Sequence, residues 1–266
     1  MILYKYYNFE SGKIALESER VGFRSPQHFN DPFEASLIEG KSYTSNRVKN
    51  IRNAVAILSL TRDPLNPLMW AHYGQEHKGF VIGYEMQDPF FQCEKSNLIP
   101  VQKGNIIYTK TKPFIKASTT VATNLCNAIE GLHDEGDLKS LELINHLFLN
   151  KDTIWSYEEE VRIVKRTYSV DMEMQEFWEN PYNRFWEPTE EISPGHCKIK
   201  IPGLKIYDHQ VKIKEVYLGE RNPILKNKYL NDLDYLTKIP KKSGKIYSVS
   251  VDRKSWNLTK KPFNII

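Results

Sequence analysis

The feature that most constrains the fold is a series of short β-type segments arranged around one longer helical stretch. The segments lie at residues 2–7, 54–61, 78–85, 105–110, 158–164, 198–201, 211–219 and 245–251. The helical stretch spans residues 119–150 and is interrupted near 131–136, with leucines and an isoleucine as its expected buried positions. Because strands and helices do not alternate regularly, a doubly wound parallel sheet is disfavoured. The pattern predicts an α+β protein with a mixed, largely antiparallel β core and a central helical segment.

Length and composition predict one ordinary globular domain. The 266 residues are 40% hydrophobic and 26% charged, which is enough apolar material for a core. We expect a single domain, 1–266, with an irregular insertion around 169–194 and a basic C-terminal segment, 222–266. The net charge of +4 implies no general polyanion-binding field. The C-terminal lysines could hold nucleic acid or an acidic partner, although a solvated lysine-rich face is the more common explanation.

Several observations predict a cytoplasmic location. Cys93, Cys126 and Cys197 are odd in number and widely spaced, which argues against a disulfide framework or a structural zinc site. The N-terminus lacks the basic and apolar regions of a secretory signal. Uninterrupted apolar runs fall well short of the roughly 18 residues of a membrane span, so no membrane association is expected.

The segment WSYEEEVRIV, residues 155–164, contains the most informative pair of side chains. If the chain is extended here, Glu158 and Glu160 project from the same face of the strand, and Arg162 follows on that face. Two converging carboxylates suit a site that holds a ribose and stabilises a developing positive charge. The alternative is a solvated acidic turn that opens an ordinary strand.

A second candidate is the loop VGFRSPQHFNDPFE, residues 21–34. Its prolines and its Asn-Asp pair favour a tight, ordered loop. Phe23, Phe29 and Phe33 are expected to be buried anchors, which leaves Arg24 and Asp31 to meet a ligand or each other. A structural alternative is that Arg24 pairs with Asp31 or Glu34 to fix the loop.

Missing motifs exclude several common chemistries. The chain has no phosphate-binding GxxxxGK[ST], no dinucleotide-binding GxGxxG, no HExxH and no GxSxG. His72 and His77 are five residues apart, a spacing that favours structural roles over metal ligation. A Mg²⁺-dependent nuclease remains an alternative, with ligands Asp31, Glu34, Glu158 and Glu160. However, Arg162 stands where such an enzyme would carry a lysine whose pKa can be tuned.

The order of several segments resembles the bacterial DUF2971 family of uncharacterised proteins. The segments are LYKYY, FRSPQHFNDPFE, MWAHYGQEHKGFVIGYE, IIYTK, WSYEEEVRIV and IKEVYLGER, and together they cover most of residues 1–221. The resemblance is specific in the residues of each segment and in the order of the segments, but it implies no activity.

A more distant resemblance is to ADP-ribosyltransferases, which carry an E-x-E at a loop-to-strand junction. Glu158-Glu159-Glu160-Val161 is similar to that motif, and Ser59-Leu60-Thr61 partly matches the family's Ser-Thr-Ser strand. The family's first strand carries an Arg or His that orients NAD. Here LYKYY offers Lys5 at that place, which departs from the pattern, and Arg24 is a possible substitute.

The transferase resemblance implies a split β-sheet fold, NAD as substrate and a protein or nucleic-acid acceptor. Glu160 would stabilise the cation-like ribose, and Glu158 would orient or deprotonate the acceptor. Cofactor contacts would come from Arg24 at the pyrophosphate, Lys5, Ser59, Thr61, and Tyr73 or Trp70 stacked on a ring. Such transferases suggest a bacterial toxin or phage-defence effector, with an antitoxin or another regulatory partner. A non-catalytic module that binds a nucleotide or a partner through the 21–34 loop is a further alternative.

Overall fold

The computed structural model describes residues 1–35, 51–112, 119–130, 138–167, 179–193, 196–200, 202–226, 233–242 and 244–264. The strands in these ranges are β1 (Ile2–Tyr7), β2 (Gly22–Arg24), β3 (Val55–Thr61), β4 (Phe80–Glu85), β5 (Ile107–Thr109), β6 (Asn150–Asp152), β7 (Glu160–Arg166), β8 (Phe185–Trp186), β9 (Thr189–Ser193), β10 (His196–Lys200), β11 (Leu204–Tyr207), β12 (Ile213–Leu218), β13 (Lys245–Val251) and β14 (Leu258–Pro262). The α-helices are α1 (Phe9–Ser18), α2 (Pro67–His72), α3 (Pro89–Gln92), α4 (Thr119–Glu130), α5 (Leu138–Phe148), α6 (Pro223–Lys226) and α7 (Asp234–Lys241). Short 3-10 helices occupy Pro26–His28, Val101–Lys103 and Thr153–Glu158.

Most of the described strands join one mixed sheet, which confirms the predicted α+β class. Its order is β14-β13-β12-β4-β1-β3-β2-β11-β8, and β7 pairs with β3 outside this path. All neighbours in this sheet are antiparallel except β12 and β13. Two small sheets, β10-β9 and β5-β6, complete the described strands.

The sheet forks at β3, because three strands pair with it although a strand has only two edges. β7 pairs with β3 along all of its length. The strands β1 and β2 therefore share the opposite edge, where β1 meets β3 at Tyr4↔Thr61 and β2 meets it at Arg24↔Ile57. Between these two contacts β1 and β2 diverge beside Ser59. This fork leaves space within the sheet for a cavity.

The strand β7 is buried on both faces, which explains how charged side chains come to lie inside the protein. Val161 and Ile163 pack into the largest apolar core, whereas Val164 packs into a second core to which α4 and α5 contribute. Because side chains alternate along a strand, Glu160 and Arg162 project on the same side as Val164. The paired charges thus lie between the sheet and the second core.

The helical stretch predicted for 119–150 is present as α4 and α5, and the predicted interruption at 131–136 lies outside the described residues. Ile144 and Leu147 are buried as expected. The expectation for Leu141 was wrong, because 42% of its surface is exposed. Of the insertion predicted around 169–194, residues 179–193 are described and include β8 and β9.

Substitution of Gly104 by alanine is expected to disturb β7. The Gly104 carbonyl accepts a hydrogen bond from the Arg162 amide at 2.8 Å, and an added Cβ would lie 1.8 Å from the Arg162 carbonyl oxygen. Since backbone cannot move aside as a flexible side chain can, we expect Gly104→Ala to lower the free energy of unfolding by about 1–3 kcal/mol. Urea denaturation, with Gln102→Ala at an exposed neighbouring position as control, measures the effect. Equal stability of the two variants would contradict this reading of the close approach.

Candidate functional site

The fork opens into a cavity of about 220 Å³. Its walls include parts of β1, β2, β3, β6, the 3-10 helix Thr153–Glu158 and the loop from His28 to Glu34. The cavity is lined by all but one of the residues predicted to act in catalysis or cofactor binding, Trp70 being the exception: Lys5, Arg24, Ser59, Thr61, Tyr73, Glu158 and Glu160. Long-range folding thus brings residues from five separate segments to one place, although their roles stay predictions.

Glu158 and Glu160 do converge, but for a different local reason than expected. Glu158 is not part of the strand; it ends the 3-10 helix, and Glu159 follows with a left-handed φ of 43°. This turn directs the exposed Glu159 outward and returns Glu160 to the start of β7. Both neighbouring carboxylates are nearly inaccessible, with only 4% of Glu158 and 4% of Glu160 exposed. The solvated acidic turn is therefore excluded for these two side chains.

Lys151 joins the carboxylates, although no sequence motif pointed to it. Its Nζ lies 2.6 Å from Glu158 Oε2, 3.0 Å from Glu160 Oε2 and 3.1 Å from Glu34 Oε1. The ammonium also lies 5.2 Å from the centre of the Trp155 ring, a cation–π contact. Lys151 belongs to β6, which is positioned by parallel pairing with β5. The sequence around it, LNKDTIW, contains no signal for this role.

Arg162 is the second buried cation of this charged cluster, whose members are Glu34, Lys151, Glu158, Glu160 and Arg162. Its Nε donates to Glu160 Oε1 at 2.7 Å, its Nη1 to the Phe148 carbonyl at 2.8 Å, and its Nη2 to both Glu160 and Glu34. The shared face predicted for Glu160 and Arg162 is confirmed. Glu34 pairs with Arg162 and Lys151, so the predicted alternative of an Arg24–Glu34 pair is wrong. A guanidinium suits this position because its planar fork can hold two carboxylates.

The charged groups of the cluster differ in the direction in which their surroundings shift the pKa. Burial opposes ionisation of Glu160, but Arg162 and Lys151 outweigh it and lower its pKa to about 2. Burial would also lower the pKa of Lys151, yet the three surrounding glutamates, Glu160 foremost, raise it. Glu158 behaves oppositely: burial raises its pKa, and Lys151 only partly offsets the effect of burial and of the Glu160 charge. The surroundings thus favour the ionised form of Glu160 and disfavour the ionised form of Glu158.

Tyr73 is the remaining partner of Glu158. Its hydroxyl donates to Glu158 Oε1 at 2.8 Å, and burial together with the Glu158 charge raises its pKa well above the ordinary value. Tyr73 directly follows α2, whose N-terminus is capped by the Asn66 side chain. The short helix therefore places a hydroxyl donor against the carboxylate whose pKa is raised.

Lys5 and Arg24 lie on the two diverging strands. The Lys5 ammonium donates to the Ser59 carbonyl at 3.4 Å, a long bond, at the place where neither β1 nor β2 pairs with β3. Burial lowers the pKa of Lys5 to about 8, although the Glu160 charge opposes this change. Arg24 is exposed at the mouth of the cavity. Among the described residues neither side chain lies within ion-pair distance of a carboxylate.

Some predicted contributions were wrong or have a structural explanation. Trp70 is fully buried, packs against Tyr6 and donates its ring N–H to the Pro64 carbonyl, so it is a core residue that does not line the cavity. His77 stacks on Trp70. Phe23 is buried as expected, but 73% of Phe33 is exposed. Phe33 is therefore not a buried anchor of the loop.

The low pKa of Glu160 predicts a specific acid response. Its ordinary pKa is 4.5 and its folded pKa is about 2, so its contribution to stability is complete above 4.5 and is lost as the pH falls through 2. We expect Glu160→Gln to be less stable than the wild type at pH 6. The difference in the free energy of unfolding between the two proteins should narrow by about 3 kcal/mol between pH 5 and pH 2. Urea denaturation at a series of pH values measures this difference, and a difference independent of pH would refute the proposed ion pairing.

The donor set does not favour a metal centre. Three of the four carboxylates proposed as ligands, Glu34, Glu158 and Glu160, already surround the Lys151 ammonium. A divalent cation at that point would have to displace Lys151 against three ion pairs. Within the described parts of the chain, no group of three His, Cys, Asp or Glu side chains is arranged to hold a metal ion.

Among the described residues, every helix is too short or too polar to span a bilayer.

Searches of curated proteins and of solved structures found no match. Residues 69–163 match the family described as Protein of unknown function (DUF2971). The matched region contains Tyr73, Lys151, Glu158, Glu160 and Arg162, whereas Lys5, Arg24, Ser59 and Thr61 precede it. The resemblance to the DUF2971 family that the sequence motifs predicted is therefore confirmed over residues 69–163.

Proposed function

We propose that this chain is an NAD-dependent ADP-ribosyltransferase-like enzyme that cleaves the nicotinamide–ribose bond of NAD and transfers ADP-ribose to a protein or nucleic acid. One observation carries the proposal. Glu158, a buried carboxylate with a raised pKa, lies beside Glu160, whose pKa is lowered, on the wall of a cavity that is also lined by Lys5 and Arg24. Paired titratable groups whose environments push their pKa values apart are typical of sites of acid–base chemistry.

The geometry favours Glu158 as the carboxylate that faces the reacting ribose. Both oxygens of Glu160 are already engaged by Arg162 and Lys151, so most of its charge is compensated. Among the residues that the structure describes, each Glu158 oxygen has one partner, Tyr73 or Lys151, and can accept a further hydrogen bond from a ribose hydroxyl. In this assignment Glu160 is a positioning residue that fixes Lys151 and Arg162. The resemblance to ADP-ribosyltransferases instead assigns Glu160 the role nearest the ribose.

Catalysis would follow from the charge that develops as the glycosidic bond breaks. The anomeric carbon becomes cation-like, and an ionised carboxylate beside it stabilises the transition state more than the ground state. Glu158 can then accept the proton of the attacking acceptor group, because a carboxylate with a raised pKa is a better base than an ordinary one. Tyr73 and Lys151 hold Glu158 in place throughout this step.

The remaining residues suit the other parts of the dinucleotide. A cavity of about 220 Å³ is below the roughly 300–1,000 Å³ of sites that enclose a whole ligand, so only the nicotinamide riboside end would enter it. Arg24, exposed at the mouth, would contact the pyrophosphate, and Lys5 would reach a phosphate or ribose oxygen from the fork. Ser59 and Thr61 would contact the ribose, and Tyr73 is one of several aromatic rings on the cavity wall.

The resemblance to ADP-ribosyltransferases supports a role as a bacterial toxin or phage-defence effector with an antitoxin-like partner. The alternative of a metal-dependent nuclease is disfavoured by the ammonium among its expected ligands. A non-catalytic binding module would hold NAD without consuming it.

Labelled NAD tests the proposal and identifies the acceptor class. Purified protein is incubated with NAD carrying ³²P in the adenylate phosphate and with desalted cell lysate, which is then separated into protein, RNA and DNA. We expect label to enter one macromolecular fraction while free nicotinamide accumulates. Intact NAD after prolonged incubation would overturn the proposal in favour of a binding module. Activity that requires an added divalent metal and cleaves nucleic acid would overturn it in favour of the nuclease.

A further inference from the structure

A tryptophan is almost fully exposed at the turn between β13 and β14. Trp256 has 98% of its surface accessible, more than any other large hydrophobic residue described. Arg253 and Lys254 of the same turn are also exposed. Leaving an indole ring in water forfeits the favourable free energy that burial of a large apolar side chain provides. A tryptophan beside two cations is therefore a candidate contact surface.

Hydrogen bonds fix the conformation of this turn. The Asp252 amide donates to the Asn257 carbonyl at 3.0 Å. The Asp252 carboxylate accepts from the Lys254 amide at 2.9 Å and from the Ser255 hydroxyl at 2.6 Å. The one acidic residue of the turn is thus used to shape it. Trp256 is presented by a defined structure, which reduces the entropy lost when a ligand binds.

The hairpin is also anchored to the sheet that forms the cavity. The Lys260 ammonium donates to the Tyr217 hydroxyl at 2.7 Å, and Tyr217 and Tyr4 both donate to Glu215, at 2.7 and 2.9 Å. Gly83 makes this network possible, because a Cβ there would lie 2.9 Å from the Tyr4 ring, which crosses β4 at this position. Tyr4 itself lines the cavity. A continuous set of contacts therefore connects the cavity wall with the exposed hairpin.

The charge of the hairpin is strongly one-sided. Exposed basic residues occur along both strands and the turn: Lys245, Arg253, Lys254, Lys260 and Lys261. Asp252 is the one acidic residue between Lys245 and Lys261. Within the described chain β14 ends the sheet, so this basic strip lies at an edge. The strip complements an extended polyanion.

We propose that the β13–β14 hairpin is a binding site for single-stranded nucleic acid, with a base stacked on Trp256 and phosphates held by Arg253, Lys254 and Lys261. A stacked base and a row of cations are the two elements by which proteins bind single strands without sequence preference. A membrane surface fits less well, because polar Asp252 and Asn257 flank the turn and Trp256 is its one large apolar residue. This site is independent of the proposed activity, since it needs neither NAD nor Glu158.

Fluorescence anisotropy with a labelled 12-nucleotide mixed-sequence DNA and the equivalent RNA tests the site in the full-length protein without NAD. Loss of one stacking platform should weaken binding about 10-fold in Trp256→Ala. The double variant Arg253→Gln/Lys254→Gln should lower the slope of log affinity against log salt by about 1–2. Trp186→Ala, at another partly exposed tryptophan, is the matched control and should bind like the wild type.

The outcomes distinguish nucleic-acid binding by the hairpin from membrane binding and from the proposed cleavage of NAD. Wild-type affinity in Trp256→Ala, or no binding of either oligonucleotide, would overturn the proposal. Binding to phosphatidylserine vesicles that the oligonucleotides fail to displace would assign the hairpin to a membrane instead. Glu158→Gln is expected to bind the oligonucleotides normally, so a failure of the NAD-cleavage proposal leaves this result unaffected.

Discussion

Replacement of Glu158 by glutamine is expected to lower the rate of NAD turnover by about 10²- to 10³-fold, the usual loss when one preorganised electrostatic group is removed. The amide keeps the size of the side chain and can still accept the Tyr73 hydrogen bond, but it neither offsets positive charge on the ribose nor accepts a proton. Initial rates at saturating NAD measure the effect.

The chain provides a matched control for this substitution at the next residue. Glu159→Gln makes the same chemical change at an exposed side chain that the left-handed turn directs away from the cavity. We expect it to retain wild-type turnover. Because Glu158→Gln also removes one of the three ion pairs of Lys151, circular dichroism of both variants is used to verify that each is folded. Equal turnover by Glu158→Gln and Glu159→Gln would remove Glu158 from the mechanism.

The largest loss of stability is expected for Arg162→Met. Arg162 is 1% exposed and bonds two buried carboxylates, Glu34 and Glu160, which would be left with Lys151 as their remaining cation. Removing one partner of a buried ion pair typically costs about 3–5 kcal/mol because the other charge stays desolvated. Urea denaturation followed by circular dichroism measures the change in the free energy of unfolding.

Two further variants keep this prediction testable if Arg162→Met fails to fold. Arg162→Lys retains the charge but loses the planar fork, so an intermediate loss is expected. Arg62→Met removes an exposed guanidinium whose partners are the Asn105 side chain and the Glu159 carbonyl, and it should cost less than about 1 kcal/mol. Similar stability of Arg162→Met and Arg62→Met would show that the buried cluster does not hold β7 in place.

The fold class and the Glu160–Arg162 pair were predictable because both depend on local periodicity. Alternation along β7 places Glu160 and Arg162 on one face whatever the rest of the chain does. The convergence of Glu158 was predicted correctly from a wrong conformation, since a 3-10 turn and a left-handed Glu159 replace the expected extended chain. Sequence periodicity does not distinguish these two routes to the same position.

Lys151 was not predicted, and Glu34 was grouped with Glu158 and Glu160 only as a ligand in the nuclease alternative. Local periodicity could not place either residue, because long-range contacts bring both to the cluster. Lys151 arrives through the pairing of β6 with β5, and Glu34 through the fold of the loop that precedes it. Nothing in the adjacent sequence distinguishes Lys151 from the exposed lysines elsewhere. Trp70 shows the reverse error, because an aromatic residue next to candidate site residues serves the core instead.

Release of nicotinamide from NAD tests the central claim most directly. Chromatography would follow free nicotinamide in incubations of NAD with desalted lysate and with equal amounts of folded wild-type protein or Glu158→Gln. The account predicts steady release by the wild type and release near background by Glu158→Gln. Equal release by the two proteins, or none above the lysate alone, would contradict it.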